Sequence, residues 1–146
     1  MLHPHDTDRL LPRLVAATGL YRGRGDGLDS GPFLARLQVT PVVRGRAVTL
    51  DYEATSERDG LQQLEHAVLA AGEAGRLELH VASLELPGVV RFVATGPGEF
   101  TAYDGPVAAR IVLEIPQPGA LNYAWWWSRD GSEPREQSRA ELRLTG

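Results

Sequence analysis

The chain repeats one pattern about ten times, in which a short segment that alternates apolar and polar residues is followed by a turn signal. The first segment spans residues 20–28 and the last spans residues 138–144. Alternation with a period of two is typical of a strand with one buried and one exposed face, and closely spaced turns favour antiparallel neighbours. A long antiparallel sheet loses its exposed edges only when it closes on itself. We therefore predict an all-β fold in which residues 1–146 form a single domain. That domain is predicted to be one antiparallel β-barrel of about ten strands.

The segments between these two carry the same signals. Residues 46–56 alternate without a break, and Arg58-Asp59-Gly60 is a hairpin turn signal. Pro41, inside the second segment, predicts an edge position or a bulge, because proline cannot donate a ladder hydrogen bond. The eight intermediate strands are predicted at residues 33–43, 46–56, 61–70, 76–86, 89–95, 99–103, 107–115 and 121–128.

Two parts of the chain suit a helix. The spacing of Leu10, Leu14 and Val15 before Gly19 predicts a short N-terminal helix at one mouth of the barrel, preceded by a flexible segment at residues 1–7. Residues 61–74 are also rich in helix-favouring side chains. The turns that flank them closely favour a strand, and a helix from Leu61 is the alternative.

Composition excludes several classes of function. The chain contains no cysteine and no lysine, which excludes disulfide frameworks, thiol catalysis and Schiff-base chemistry. Its net charge of −4 disfavours binding to nucleic acid. The sequence shows neither a signal-peptide pattern nor an apolar run of about 20 residues, so we expect a cytoplasmic protein without a membrane span.

Three pieces of sequence carry a family resemblance. Residues 19–25, Gly-Leu-Tyr-Arg-Gly-Arg-Gly, match a G-x-[WY]-x-G-x-G opening strand. Residues 77–82 followed by 87–90 form one hairpin pattern, and residues 127–131 followed by 138–144 form another. Together they resemble the calycin superfamily, specifically its bacterial fatty-acid-binding-protein-like and nitrobindin-like barrels of uncharacterised function. The resemblance implies a lipocalin-like barrel that binds a small molecule in its lumen.

The same resemblance raises the question of haem. In nitrobindin-like proteins a histidine at the start of the last strand coordinates haem iron, and Gln137 stands at the position that matches it. Glutamine is a poor haem ligand compared with His, Cys, Met or Tyr. We therefore predict no cofactor, no metal and no catalytic residue. The alternative is a haem-binding or enzymatic nitrobindin-like protein that uses His66, His80 and Glu65.

The two central histidines can be placed in more than one way. If their strands pair with His66 opposite His80, the two rings share one face and could hold a metal or a polar ligand. A slip of one residue turns one of them away, and the sequence leaves the register open. Glu65 and Glu78 could join His66 in acid–base chemistry, and a buried glutamate there would have a raised pKa.

Aromatic residues give the strongest indication of a ligand. Tyr123, Trp125 and Trp127 share one face of the predicted ninth strand, while Trp126 lies on the other and could contact a second copy in a homodimer. Tyr52, Phe92 and Tyr103 add to the set. Aromatic rings line apolar cavities, and they equally fill a packed interior. A ligand interpretation requires a cavity of about 300 Å³ or more.

The resemblance also implies a polar anchor. In fatty-acid-binding proteins, arginine and tyrosine on the last strands clasp a carboxylate, and Arg139 or Arg143, with Arg110 near them in the pattern, could act so here. Exposed surface arginine is the alternative. We expect a small hydrophobic or amphipathic molecule in the lumen. The predicted ligand-binding residues are Tyr52, Glu65, His66, Phe92, Tyr123, Trp125, Trp127 and Arg139.

Overall fold

A computed structural model describes residues 9–102, 108–128 and 130–145 of the protein. The predictions of a flexible segment at residues 1–7 and of a ligand-facing Tyr103 lie outside the described residues. The elements are one helix, α1 (Leu10–Ala16), and the strands β1 (Gly19–Gly27), β2 (Gly31–Val42), β3 (Ala47–Ser56), β4 (Gly60–Ala71), β5 (Leu77–Ser83), β6 (Val89–Gly96), β7 (Glu99–Ala102), β8 (Ala109–Glu114), β9 (Ala120–Trp127) and β10 (Arg135–Leu144).

The ten strands form a closed antiparallel barrel. Each strand pairs with its neighbours in sequence, and β1 completes the ring by pairing with β10 from Tyr21↔Leu144 to Gly27↔Ser138. The predicted all-β barrel with a short N-terminal helix is therefore confirmed. The fourth segment is a strand and not a helix, since β4 pairs with β3 over residues 60–70 and with β5 over residues 65–71.

Two glycines of β1 permit close approach where the barrel closes. A Cβ added at Gly23 would collide with the backbone of Glu141, and one at Gly25 would collide with the backbone of Arg139 and the ring of Phe33. Residues without a side chain let two strands and an inward ring pack at this distance. The glycine-rich opening strand therefore has a packing role at the seam of the barrel.

Most strand ends lie within two residues of prediction, and two differ by three residues. The predicted fifth strand continues to residue 86, but β5 ends at Ser83. The last strand begins three residues earlier than predicted, at Arg135, and a bulge between Glu136 and Ser138 interrupts its pairing with β9. Pro41 lies where β2 extends past its last pair with β1, Gly19↔Val39, and is paired only with β3, so that it occupies a local edge.

Helix α1 covers one end of the barrel. Leu10 and Leu14 are buried against the core, and the helix contacts β2 and β3. Pro12 occupies the third helical position, where a backbone N–H has no partner within the helix, so it costs no helical hydrogen bond. The Tyr21 hydroxyl donates to the Ala17 carbonyl at 2.7 Å beneath the helix. We call this the closed end and the opposite end the open end.

No helix within the described ranges is both long enough and apolar enough to cross a membrane.

Candidate ligand-binding site

The inner wall changes character between the two ends. Toward the closed end it is aliphatic, formed by Leu37, Val39, Val48, Leu50, Leu69, Leu77, Leu79, Leu113 and Leu121. The buried polar residues of the described chain are Ser56, Gln63, Glu65 and Ser138. All four lie in the halves of their strands that approach the open end. Buried polar groups cost free energy unless they have partners. We therefore expect a functional site that uses polar side chains at the open end.

Glu65 and Tyr123 join opposite walls of the barrel. β4 and β9 are five strands apart in both directions around the ring. The Tyr123 hydroxyl nevertheless donates a hydrogen bond of 2.7 Å to Glu65 Oε1. Glu65 is only 6% exposed and pairs with Tyr52 on β3 and with Ser83 on β5. The ring centroids of Tyr52 and Tyr123 are 4.4 Å apart, which holds the phenol over the carboxyl group.

Burial dominates the electrostatics of Glu65. It raises the pKa of Glu65 from 4.5 to about 7, the donors of Tyr123 and Trp125 act in the opposite direction, and the carboxylate of Glu85 raises it further. Burial, followed by the charge of Glu65, also raises the pKa of Tyr123, which therefore remains a protonated donor. Near neutral pH the site holds a carboxyl group that can be either neutral or charged.

Trp125 presents an unsatisfied donor beside this carboxyl. Its indole is 4% exposed and its Nε1 is buried without a hydrogen bond of good geometry, although it lies near enough to Glu65 to lower the pKa of that residue. Phe92 packs edge-on against Trp125 at 5.7 Å, and Trp127 at 6.3 Å. A buried N–H without a partner is costly, so this donor is well placed to meet an acceptor from a ligand or a water.

Two cavities open from the open end toward these groups. One has a volume of 260 Å³ and is lined by Glu65, Trp125, Ser83 and Ala109 among others. The second has a volume of 410 Å³ and lies beside Phe33 and Ser138. Gln63, Glu85 and Trp127 line both. Small-molecule sites measure roughly 300–1,000 Å³, so the second cavity lies within that range and the first just below it.

Larger grooves lie on the outside of the barrel. One of 590 Å³ runs along β1 and β2 beside Arg22, Arg24 and Arg36. Neither this groove nor the two others outside the barrel are lined by Gln63 or Glu65, the buried polar residues of β4. We therefore place the candidate site at the open end.

Six of the eight predicted ligand-binding residues lie on the inner wall. Tyr52, Glu65, Tyr123, Trp125 and Phe92 form one contiguous group, as described above, and Trp127 stands half-buried at the mouth. The set is brought together by β3, β4, β6 and β9.

His66 and Arg139 lie on the outer wall, which corrects their predicted placement. His66 pairs with Asp51, and Arg139 forms ion pairs of 3.3 Å with Glu114 and Glu136. The register opposes His66 to Ala82 and Val68 to His80, so the two histidines share the outer face without facing each other. Neither belongs to the candidate site, and no group of three or more His, Asp or Glu suited to a metal occurs among the described residues.

The other candidate anchors are also outside. Arg110 makes an ion pair of 3.3 Å with Glu99, and Arg143 is exposed on β10 opposite Arg22. His80 contacts Glu78 at 3.1 Å. The buried ionisable group of the inner wall at the open end is therefore the carboxyl group of Glu65, where the resemblance implied a guanidinium.

The residues present do not fit a nitrobindin-like haem site. Gln137 lies in the β10 bulge, and its side-chain Nε2 donates to the Trp127 carbonyl at 3.0 Å. Both histidines of the described chain face away from the lumen. The nitrobindin resemblance requires a histidine directed at the cavities, and no histidine of the described residues is so directed.

Sequence reasoning missed most of the residues that line the cavities, among them Gln63, Ser83, Glu85 and Ser138. Gln63 has the same parity as Glu65, Ala67 and Leu69 on β4, a signal that places it inside. Glu85 follows the end of β5, and its position depends on the turn that begins there, which the predicted longer strand did not contain.

Comparison with known proteins supports the fold. No protein-family model matches the chain, and a search of curated proteins finds no match. The crystal structure of Rv2717c from M. tuberculosis is similar with a TM-score of 0.68 and 18% identity, over 100% of both chains. The S-type phycobiliprotein lyase CPES from Guillardia theta is similar with a TM-score of 0.57 and 10% identity, over 95% of this chain and 92% of that chain. These likenesses show the closed β-barrel fold and no particular family.

Proposed function

We propose that the protein binds a small, mostly apolar molecule in the open half of the barrel. The observation that carries the proposal is the buried Glu65, which accepts a hydrogen bond from Tyr123 and lies beside the indole N–H of Trp125, in a cavity at the open end that Glu65 and Trp125 line. A few convergent polar groups in an aromatic, concave setting are typical of small-molecule sites.

In this proposal, aromatic rings and polar groups make different contacts with the ligand. Trp125 and Trp127 supply apolar walls, with Phe92 packed behind Trp125, while Glu65 and the Trp125 N–H supply the polar contacts that orient the ligand. The aliphatic closed end needs no ligand to complete its packing, because its side chains are already buried against one another and α1. Barrels of eight or more strands commonly hold one small ligand in this manner.

The proposal includes neither haem nor turnover. The haem alternative lacks its histidine, as described above, and the acid–base alternative keeps Glu65 but loses His66 and His80 to the outer wall. A lone buried carboxyl group suits recognition as well as proton transfer.

Binding of naphthylethanol, a neutral aromatic probe, tests the proposal. Ala108 is exposed and lines the smaller cavity, so Ala108→Trp places an indole in the entrance. Ala71 is exposed at the closed end, so Ala71→Trp is a matched control. We expect saturable binding by calorimetry that Ala108→Trp weakens by roughly tenfold or more and Ala71→Trp leaves unchanged. Equal loss in both variants, or absence of binding by this probe and by its charged analogues alike, would contradict the proposal.

A further inference from the structure

The two cavities are lined by carboxyl groups and by no basic side chain of the described chain. Glu65 and Glu85 line the smaller cavity, and Glu85 lines the larger one together with Asp29 and Asp59. Arg58 offsets part of this charge at the rim, since it pairs with Asp59 at 2.9 Å and donates to the Asp29 carbonyl. Glu65 is buried, at 6% exposure, whereas the Arg58 side chain is 69% exposed at the rim.

The arginines near these strands are occupied elsewhere. Arg110 and Arg139, on β8 and β10, bind Glu99, Glu114 and Glu136 on the outer wall. Glu65 and Glu85 form no ion pair with any described residue at the distances that define the others. The carboxylate of Glu85 also raises the pKa of Glu65. A buried carboxylate in this state lacks the partner that normally offsets its desolvation.

The surrounding groups are arranged to receive a cation. The hydroxyl of Tyr123 hydrogen-bonds to Glu65, and the Trp125 N–H lies close by, and both donors favour the ionised carboxylate. The faces of tryptophan rings attract a cation placed over them, and Trp125 and Trp127 line the cavity that leads to the carboxyl group of Glu65. The Trp125 N–H is a donor and does not bond an ammonium, so in the complex it stays directed at Glu65.

We propose that the ligand is an organic cation, a small ammonium on an apolar or aromatic body, whose charged head pairs with Glu65 and whose body lies among the aromatic residues of the open end. This inference rests on the proposed function, because it names the chemical class of the molecule that the cavity binds. It reverses the ligand charge that a fatty-acid-binding barrel would select.

Three probes with one aromatic body and different charges test it. Naphthylethylamine is a cation, naphthylethanol is neutral and naphthylacetate is an anion at pH 8. Calorimetry on the full chain at pH 8, where Glu65 is mostly ionised, gives the three affinities. We expect the amine to bind roughly tenfold more tightly than the alcohol, since hydrogen bonds to charged groups are the stronger ones. The acid should bind more weakly than the alcohol.

The outcomes separate this inference from the proposed function. If the alcohol or the acid binds as tightly as the amine, the cation inference fails and small-molecule binding stands. If no probe binds, the proposed function fails as well. A tightest amine supports both.

Variants locate the charge that is responsible. Glu65→Gln keeps the shape of the side chain and should abolish the preference for the amine while the alcohol still binds. Glu85→Gln, at an exposed position, should reduce the preference in part. Glu141→Gln, on the exposed outer wall of β10, is the matched control and should change nothing. An amine preference that survives Glu65→Gln would overturn the assignment.

Discussion

Tyr123 and Glu65 form a hydrogen bond of 2.7 Å across the lumen between strands on opposite sides of the barrel. The pair divides the interior into an aliphatic half beneath α1 and an open half that contains the buried polar residues. The bond therefore holds two walls of the barrel together. It also lies where it could contact a molecule bound in the open half.

Stability should depend on pH through Glu65. Its pKa is about 7 in the folded protein against 4.5 ordinarily, so between these values the folded protein retains a proton that the unfolded chain has lost. The free energy of unfolding should consequently fall as pH rises from about 4.5 to about 7, by on the order of 3 kcal/mol. Glu65→Gln should remove this decline and make the protein more stable than the wild type at pH 8. Urea unfolding across this pH range measures both.

Glu141→Gln serves as the control for that series, since Glu141 is exposed on the outer wall. A wild-type decline that persists in Glu65→Gln, or that disappears in Glu141→Gln, would show that another group is responsible.

Loss of the Tyr123 hydroxyl should raise the pKa of Glu65 further. The hydrogen bond favours the ionised carboxylate, so Tyr123→Phe removes a contribution that lowers the pKa below what burial alone would give. Titration of the Glu65 carboxyl carbon by ¹³C NMR should show a midpoint above about 7. Tyr21→Phe, which loses a hydroxyl donor at the closed end, should leave that midpoint in place. An unchanged or lower midpoint in Tyr123→Phe would exclude this bond as a determinant of the titration.

The seam between β1 and β10 should not tolerate a side chain at Gly23. A Cβ there meets the Glu141 carbonyl and the Leu142 backbone, which cannot move as a flexible side chain does. Gly23→Ala should therefore cost about 3 kcal/mol or more of unfolding free energy. At Gly72 an added Cβ meets only the side chain of Glu78, and Gly72→Ala should change stability by less than about 1 kcal/mol. Denaturant melts compare the two, and equal effects would contradict the close-approach explanation.

Hemin should not bind as it does in a nitrobindin-like protein. With Gln137 bonded to the Trp127 carbonyl and both described histidines on the outer wall, adding hemin should leave its Soret band at the position of free hemin. Gln137→His is the informative companion variant, because it restores the residue type that the resemblance requires. A shifted Soret band in the wild type would contradict our exclusion of haem.

The alternation of apolar and polar residues made the fold predictable. The site was only partly predictable, because it depends on strand register, which the sequence leaves open. Residues 46–56 alternate cleanly and became β3 with a shift of one residue. In β4, apolar residues occur in both parities, since Leu64 and Val68 are outside and Ala67 and Leu69 inside. The sequence therefore could not choose between Glu65 and His66 as the inward residue.

The orientation of Arg139 was within reach of the sequence. Ala140 and Leu142 share the opposite parity in β10 and face inward, which places Arg139 outside. The contact between Glu65 and Tyr123 could not be predicted from the sequence. It joins residues 58 positions apart across the ring and depends on the diameter of the closed barrel.

The most direct test of a ligand site at the open end is the indole region of a ¹H–¹⁵N NMR spectrum during titration with naphthylethylamine. The chain has three tryptophans. Trp125 and Trp127 line the smaller cavity, and Trp126 lies on the outer wall of β9. We predict saturable shifts of the Trp125 and Trp127 indole signals with Trp126 unmoved. A spectrum in which Trp126 alone shifts, or none of the three does, would contradict the account.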